Sequence, residues 1–223
     1  MRRRAIVGVI LSRMDLRRAI TSQTPPDLFE LRLDALVQQV ERIEAALGEL
    51  GAPLIVTARH PREGGVNRLN ATERRALLLR FLPYATFVDI EIRSAKAFGD
   101  ILKEARKRGV KTIASFHDLR GTPSASRLDK TAAVARSLKS DILKVVTRTE
   151  NVVQSARLRD FFRRHPGRRI AVMGVGRLGR RVRIELAEDG SALNYGHLGR
   201  RQIEGQLSVR ELRRILMQKS GST

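Results

Sequence analysis

The sequence predicts an α/β protein with the architecture of a (β/α)8 TIM barrel, on three observations. Its 223 residues are long for one ordinary domain and normal for an α/β barrel. Eight apolar, β-branched runs recur along the chain at roughly 28 residues per unit. Segments with helical periodicity separate them, and strands that alternate with helices imply a parallel sheet. A doubly wound open sheet is the alternative, although no Gly-x-Gly-x-x-Gly fingerprint follows the first run.

The eight predicted strands are rich in the residue types that favour extended chain. They are Ala5–Ile10, Leu28–Leu33, Leu54–Thr57, Phe87–Ile92, Lys111–Phe116, Ile142–Thr147, Ile170–Val175 and Ala192–Leu198. We expect one barrel domain over residues 1–223, with a short disordered tail at 220–223.

The segments between the strands carry helix signals. Residues 36–47 repeat apolar side chains so that these share one helical face. The segment 71–82 offers Thr72 as a candidate N-cap. The segment 95–109 ends on Gly109, a residue suited to a helix C-terminus.

The net charge of +21 comes from 44 Lys and Arg against 23 Asp and Glu. Such an excess can mark a nucleic-acid surface, or it can place Arg on solvated helix faces. The basic residues are dispersed, and two Tyr with no Trp leave little aromatic surface for stacking bases. Nucleic acid is therefore not an expected partner.

The chain contains no cysteine, which excludes a disulfide framework, a Cys-ligated metal and a Cys nucleophile, and which suits the cytoplasm. Its N-terminal apolar run, residues 5–11, is shorter than most secretory signals and is followed by charged residues. No apolar run approaches the ~18 residues that span a membrane. We expect a cytoplasmic protein without a membrane partner.

Ionisable residues within the apolar strands are the candidates for a site, because barrel chemistry gathers at the carboxyl ends of the strands. In the second strand, Glu30, Arg32 and Asp34 alternate with leucines and so point to one side. If the leucines face the helices, these charges face the barrel interior and need partners such as Glu–Arg pairs. An edge strand with a solvated polar face is the alternative.

Two further strands end in candidates for proton transfer. Arg59 ends the third strand, and Glu63 follows in a loop that contains the flexible pair Gly64–Gly65. His117 and Asp118 end the fifth strand, where the general base of a barrel enzyme is expected. A lone histidine is otherwise a structural residue.

Lys144 interrupts the apolar sixth strand, and the fourth strand carries Asp89 and Glu91 on one face. On the inner face of a barrel a lysine is desolvated, which favours the neutral amine, a nucleophile that forms Schiff bases with ketones or aldehydes. The alternatives are a lysine paired to a carboxylate and one that reaches outward to solvent. A lysine, a histidine, a glutamate and several arginines at one barrel end indicate a small carboxylated carbonyl substrate.

Six motifs, in order and on the expected strands, resemble those of type I 3-dehydroquinate dehydratases, the Schiff-base enzymes of the shikimate pathway. They are Glu30-Leu31-Arg32-Leu33-Asp34, Arg59 with Glu63-Gly64-Gly65, Ser115-Phe116-His117-Asp118, Lys144, Met173-Gly174 with Leu178-Gly179 and Arg183, and Gly205-Gln206-Leu207-Ser208-Val209. Together they cover nearly the whole chain.

The resemblance implies dehydration of 3-dehydroquinate to 3-dehydroshikimate, a step of aromatic amino acid biosynthesis. Lys144 would form an imine with the C3 ketone of the substrate. His117 would take the C2 proton and then act as the acid in loss of the C1 hydroxyl, held and polarised by Glu63. The family uses no cofactor or metal and is often a homodimer.

The resemblance also implies a set of substrate-binding residues. Those expected to bind substrate hydroxyls are Glu30 and Arg32, and those expected to hold the substrate and its carboxylate are Arg59, Arg183 and Gln206. Two departures from the family stand out. An alignment without a gap would choose Arg181 in place of Arg183, and the lid position that is usually serine is Gln202.

Two competing functions stay open on the sequence. Another class I aldolase-like barrel enzyme would use the same Schiff-base lysine but would cleave a carbon–carbon bond. A basic barrel that binds RNA or DNA would show affinity that falls steeply with salt.

Overall fold

A computed structural model describes residues 4–166 and 169–220, with side chains described as far as residue 218. These residues contain eight β-strands. They are β1 (Ala5–Ile10), β2 (Leu28–Arg32), β3 (Leu54–Thr57), β4 (Phe87–Glu91), β5 (Lys111–Asp118), β6 (Ile142–Arg148), β7 (Ile170–Val175) and β8 (Leu193–His197). Every predicted strand is present, with differences of at most two residues at the ends.

The same residues contain nine α-helices. They are α1 (Arg13–Ile20), α2 (Leu33–Leu36), α3 (Val40–Ala46), α4 (Ala71–Phe81), α5 (Gly99–Lys107), α6 (Ala125–Ser137), α7 (Val152–Arg163), α8 (Gly179–Glu188) and α9 (Val209–Ser220). Short 3-10 turns follow several of these elements, at Val37–Gln39, Leu47–Glu49, Pro61–Glu63, Leu82–Tyr84 and Ile92–Ser94.

All eight strands are parallel, and they form one sheet in the order β7-β6-β5-β4-β3-β2-β1-β8. The two ends of this order adjoin, because the amide of Ala192, just before β8, donates to the carbonyl of Ile170 in β7 at 2.8 Å. The sheet therefore curls into a nearly closed (β/α)8 barrel. The prediction of this fold is confirmed, and the open doubly wound sheet is excluded.

Alternation along the strands divides the apolar residues into an inner and an outer set. One buried cluster draws on every strand, including Val7, Ile55 and Ile113, and it fills the barrel interior. The residues that alternate with these along the strands, such as Leu31 and Val56, belong to a second cluster that packs the strands against the helices. A side chain on the inner face of a strand thus points toward the barrel axis, and those near the carboxyl end reach its mouth.

The end of the second strand differs from the prediction. β2 stops at Arg32, so Asp34 lies in α2 and not on the strand face. The helix expected over residues 36–47 is broken by a 3-10 turn into α2 and α3. Contacts to the loop after β3 hold α2 in place. The carboxylate of Asp34 accepts hydrogen bonds from the backbone amides of Arg59 and Val66, and its carbonyl accepts one from the side chain of Asn67.

The N-cap expected at Thr72 is wrong by two residues. Asn70 caps α4: its side chain accepts from the amide of Glu73, and the carboxylate of Glu73 accepts from the amide of Asn70. This reciprocal pair is a capping box, which satisfies two amides at the helix start. At the other predicted boundary, Gly109 follows the C-terminus of α5 with φ +71°, as expected of a helix-ending glycine.

No helix within the described part of the chain is both long enough and apolar enough to cross a bilayer. Of the predicted tail, Ser220 is the last residue of α9, and residues 221–223 lie outside the described residues.

Candidate active site

A cavity of about 220 Å³ opens at the carboxyl ends of the barrel strands. All of the site residues predicted from the sequence line this cavity. They are Glu30, Arg32, Arg59, Glu63, His117, Lys144, Arg183, Gln202 and Gln206. Apolar side chains such as Val9, Val146 and Met173 complete the wall. The fold thus brings these residues together, from positions up to 176 apart in sequence, while their individual roles stay predictions.

His117 and Glu63 form a hydrogen-bonded pair on one side of the cavity. Nδ1 of His117 lies 2.9 Å from Oε2 of Glu63, and the same oxygen accepts from the backbone amide of His117 at 3.0 Å. Glu63 ends a 3-10 turn that begins with Pro61, and Gly64 follows with φ +90°. A β-carbon on Gly65 would collide with the backbone carbonyl of Arg59, so this sharp turn requires glycine.

Burial shifts the pKa of both members of this pair toward their neutral forms. The pKa of His117 lies well below its usual range, because of burial first and then the nearby charges of Arg59 and Lys144. Burial raises the pKa of Glu63 to about 7, although the charge of Arg59 opposes the rise. His117 is therefore a neutral imidazole at neutral pH. With Nδ1 committed to Glu63, its Nε2 is left for the cavity.

Lys144 is buried, with 4% of its surface exposed, and it is paired to carboxylates. Its Nζ donates to Oε1 of Glu30 at 3.2 Å and to Oδ2 of Asp89 at 3.0 Å. The ammonium also lies 3.9 Å from the centre of the Tyr195 ring, a cation–π contact. The structure thus realises the carboxylate-paired lysine that the sequence left open as an alternative to a free amine.

Arg59 is occupied by other protein groups. Its guanidinium donates to Asp89 at 2.8 Å, to Glu91 at 3.1 Å and to the hydroxyl of Ser115 at 2.7 Å, with 2% of the residue exposed. Burial alone would lower the pKa of Arg59, but Asp89 and Glu91 raise it well above its usual range. These contacts use most of its donors within the protein and place Arg59 against the same Asp89 oxygen that Lys144 contacts.

Asp89 and Glu91 are site residues that the sequence reasoning did not assign. Their alternation on the fourth strand was the available signal, but only the closed barrel brings Asp89 to Lys144. Burial would raise the pKa of Asp89, yet Arg59 and Lys144 hold it well below its usual range. Glu91 also pairs with Arg74 of α4, which donates to the carbonyl of Ala58 at 2.7 Å. Nothing in the sequence pointed to Arg74 or to Tyr195.

Glu30 and Arg32 face the cavity with their protein partners already in place. Glu30 accepts from the hydroxyl of Thr57 at 2.9 Å as well as from Lys144. Arg32 binds both carboxylate oxygens of Asp34 at 2.9 Å and donates to the carbonyl of Gly64 at 3.0 Å. The expected Glu–Arg pair within the second strand is therefore replaced by an Arg32–Asp34 pair between strand and helix.

Arg183 on α8 is a buried cation without a carboxylate partner. Its Nε donates to the carbonyl of Gly174 at 2.8 Å and Nη1 to that of Tyr195 at 3.2 Å. Within residues 4–166 and 169–220, no carboxylate forms an ion pair with it, and burial lowers its pKa to about 10. Arg181, in contrast, points to solvent and pairs with Glu185 at 2.8 Å. The geometry favours Arg183 as the anion-binding arginine.

The segment between β8 and α9 covers one side of the cavity with two amide side chains. The backbone amide of Gln202 donates to the side-chain Oε1 of Gln206 at 2.9 Å, and Gln206 is 7% exposed. The carbonyl of Glu204 accepts from the amide of Gly176 at 3.2 Å, and its carboxylate lies 3.6 Å from Arg148. Gln202 itself is exposed at the cavity mouth, as expected of a lid residue.

The side chains of the cavity suit acid–base and nucleophilic chemistry. In the part of the chain that the structure describes, no group of three or more His, Asp or Glu residues is arranged to hold a metal ion. The cavity instead combines a buried lysine amine, a neutral imidazole tied to a carboxyl group, and a guanidinium free to bind an anion. This set can attack a carbonyl, remove a proton beside it and hold a carboxylate.

Comparison with known proteins finds one family by sequence and in the most similar structures. A model of the family type I 3-dehydroquinase matches residues 8–222. A 3-dehydroquinate dehydratase of Thermococcus gammatolerans is 33% identical over 221 residues, which cover 97% of this chain and 99% of the relative. One of Methanothermobacter thermautotrophicus is 30% identical over 191 residues, or 85% and 84% of the two chains. The crystal structure of the enzyme from Geobacillus kaustophilus matches with a TM-score of 0.86 at 24% identity, covering 99% and 92%.

Proposed function

The chain belongs to the type I 3-dehydroquinase family, and on this premise we propose that it dehydrates 3-dehydroquinate to 3-dehydroshikimate through an imine on Lys144. His117 is the general base and then the general acid. The reaction is a lyase step of the shikimate pathway, which leads to the aromatic amino acids.

One observation carries this proposal: a single cavity joins a buried lysine, a His–Glu pair and a buried guanidinium that has no counter-ion among the described residues. An aldolase-like enzyme could use the lysine equally well. The family match distinguishes the two, because the curated relatives over nearly the whole chain are 3-dehydroquinate dehydratases.

The first chemical step joins Nζ of Lys144 to C3 of the substrate. The ammonium and the ketone become a protonated imine and one water molecule, so two protons of the nitrogen leave with the former carbonyl oxygen. The positive charge stays on the nitrogen. Glu30 and Asp89, at 3.2 and 3.0 Å from Nζ in the free protein, are placed to stabilise this iminium as they stabilise the ammonium.

The second step removes a proton from C2, which the iminium makes acidic because it accepts the electron pair that the C–H bond leaves behind. A modest base suffices, and the neutral His117 supplies it through Nε2. The protonated imidazole then donates this proton to the C1 hydroxyl, which departs as water. Glu63 accepts from Nδ1–H and stabilises the imidazolium between the two transfers.

Substrate binding is assigned to the remaining groups of the cavity. Arg183 takes the carboxylate, because it has N–H donors beyond the two backbone carbonyls that it holds. Gln206 and the lid residue Gln202 contribute amide donors at the mouth, and Glu30 and Arg32 face the ring hydroxyls. Water then hydrolyses the imine of the product and restores Lys144.

Borohydride trapping tests the proposal. The protein is incubated with 3-dehydroquinate, reduced with borohydride, digested and mapped by mass spectrometry, while enone absorbance is followed in an untreated sample. We expect a reduced adduct on Lys144, and none in a folded Lys144→Ala variant. Lys103→Ala, a change of an exposed lysine on α5, is the matched control and traps as the parent does. Absence of both adduct and enone in the parent protein would refute the assignment.

We propose, from the family resemblance, that the protein is a cytoplasmic homodimer. Multi-angle light scattering of the purified chain measures its mass against the monomer mass of 25.1 kDa. A mass that stays at one chain over the accessible concentration range contradicts the dimer.

A further inference from the structure

Tyr195 holds a polar group inside the site for which the proposed mechanism has no use. It lies on β8 with 5% of its surface exposed, and its ring forms part of the cavity wall. The hydroxyl oxygen is buried and has no hydrogen-bond partner among the described residues. Buried hydroxyls nearly always find a partner, so an unpartnered one inside a site requires an explanation.

The surroundings of this phenol make it a hydrogen-bond donor. Burial raises its pKa well above the usual range, and the charges of Glu30 and Asp89 raise it further. The phenol therefore keeps its proton and cannot act as a base. The two carboxylates whose charges act on it are the same two that hold Nζ of Lys144.

Imine formation changes what these carboxylates contact. In the free protein the Lys144 ammonium donates to both, in addition to Thr57 on Glu30 and Arg59 on Asp89. It also lies 3.9 Å from the centre of the Tyr195 ring. To bond with C3 of a substrate above it, Nζ has to move toward the cavity, and the imine nitrogen keeps only one of its three protons. At least one hydrogen bond to Glu30 or Asp89 is then lost. Thr57 still donates to Glu30 and Arg59 to Asp89, but the loss of a charged donor at a buried carboxylate is costly.

We propose that Tyr195 is a positioning residue that takes over from Lys144: its hydroxyl donates to Glu30 or Asp89 when Nζ leaves them to form the imine. The inference rests on the proposed function. It explains together why the hydroxyl is unpartnered in the free protein, why it is buried beside Lys144, and why it lies in the field of the two carboxylates. In this role the phenol acts through the carboxylates and takes no part in forming the bond.

A double-mutant cycle on stability tests the exchange without any turnover. Lys144→Met removes the ammonium but keeps the length of the side chain, which leaves Glu30 and Asp89 without it. Unfolding in denaturant is measured for the parent, Lys144→Met, Tyr195→Phe and the double variant. Tyr84→Phe, the same change at an exposed tyrosine that bonds Glu44, is the matched control in both backgrounds.

We expect Tyr195→Phe to change the unfolding constant less than about twofold in the parent, where the hydroxyl has no partner, and to raise it about fivefold in Lys144→Met. Equal effects in the two backgrounds would overturn the proposal. If Lys144→Met does not fold, single-turnover trapping decides. Tyr195→Phe must form the reduced adduct about tenfold more slowly than Tyr84→Phe, at an unchanged substrate concentration for half-maximal trapping rate. Equal trapping rates would then overturn it.

These outcomes are separable from the proposed function. The proposed function fails if the parent protein traps no adduct on Lys144, whatever the cycle gives. The exchange fails if the parent traps its adduct normally but Tyr195 shows no coupling to Lys144.

Discussion

The side chains of Glu63 and His117 share one proton in the hydrogen bond between Oε2 of Glu63 and Nδ1 of His117. Nε2 of His117 can accept a proton from substrate only when Nδ1 carries one, and this arrangement needs an ionised Glu63 to accept from Nδ1. A protonated Glu63 donates to Nδ1 instead and places the ring proton on Nε2. The protonation state of Glu63 therefore decides whether His117 is a base on the cavity side.

The acid limb of the pH–rate profile follows from this pair. Because burial raises the pKa of Glu63 to about 7, the active form is present above that pH and is lost as the pH falls through it. We expect kcat/KM to fall about tenfold for each pH unit below this value, measured by enone absorbance in buffers of constant ionic strength. Glu63→Gln removes the titrating group and should lower the plateau and displace this limb. A pH–rate profile that stays flat from about pH 5 to about pH 8 would contradict the assignment.

Arg183 and Arg181 stand two residues apart on α8 and offer a matched pair of substitutions. Arg183→Gln removes a buried guanidinium that has no carboxylate partner, whereas Arg181→Gln removes a surface ion pair with Glu185. We expect kcat/KM for 3-dehydroquinate to fall about hundredfold in the first variant, mainly through KM, and less than about twofold in the second. Steady-state kinetics on folded variants measure both. The opposite order would restore the alignment that selects Arg181.

At the scale of elements, the N-cap of α4 differs between the sequence prediction and the structure. Asn70 forms the capping box with Glu73, while Thr72, the residue that the sequence suggested, lies inside the first turn with an exposed side chain. Asn70→Ala should reduce the free energy of unfolding by about 1 kcal/mol, because the amide of Glu73 loses the side-chain oxygen to which it donates. Thr72→Ala should change it by less than about 0.5 kcal/mol. Denaturant titration of both variants decides which residue is the cap.

The loop after β3 shows how an element sets the site. Arg59 ends the strand, the 3-10 turn follows, and Gly65 allows the chain to fold back against the carbonyl of Arg59. This fold-back carries Glu63 under His117 of β5. The two glycines could be identified from the sequence, and the resemblance implied that Glu63 holds His117. The contact itself depends on how the neighbouring strands are placed.

At the scale of the whole molecule, the net charge of +21 creates self-repulsion in the folded state. Exposed pairs such as Arg164–Asp129, at 3.1 Å, are screened by salt and contribute little, whereas the buried network around Lys144 is screened much less. Repulsion among the dispersed excess of Arg therefore dominates the salt dependence of stability.

Raising NaCl from about 20 mM to about 300 mM should therefore raise Tm by a few degrees. Scanning calorimetry measures the shift, and sulfate at equal ionic strength is the control for binding of a particular anion. A Tm that falls with salt would mean that surface ion pairs outweigh the repulsion.

The sequence by itself determined the barrel and the position of every strand within two residues. These features are carried by local patterns, since apolar alternation and strand spacing are properties of short segments. With the family resemblance, the sequence also identified nine of the residues that line the cavity. The motifs at strand ends then follow, because all parallel strands of a barrel end at one mouth. The family match agrees with the resemblance that those motifs suggested.

Only the tertiary structure decided how the charged groups pair. Lys144 meets Glu30 and Asp89 across the barrel, from positions 114 and 55 residues away, and Arg59 is drawn to Asp89 and Glu91. Tyr195 lies beneath the ammonium for the same reason. Such pairings depend on which inward-facing side chains lie at the same level along the barrel axis. No local pattern encodes this, because closure of the sheet sets the distances between strands that are remote in sequence.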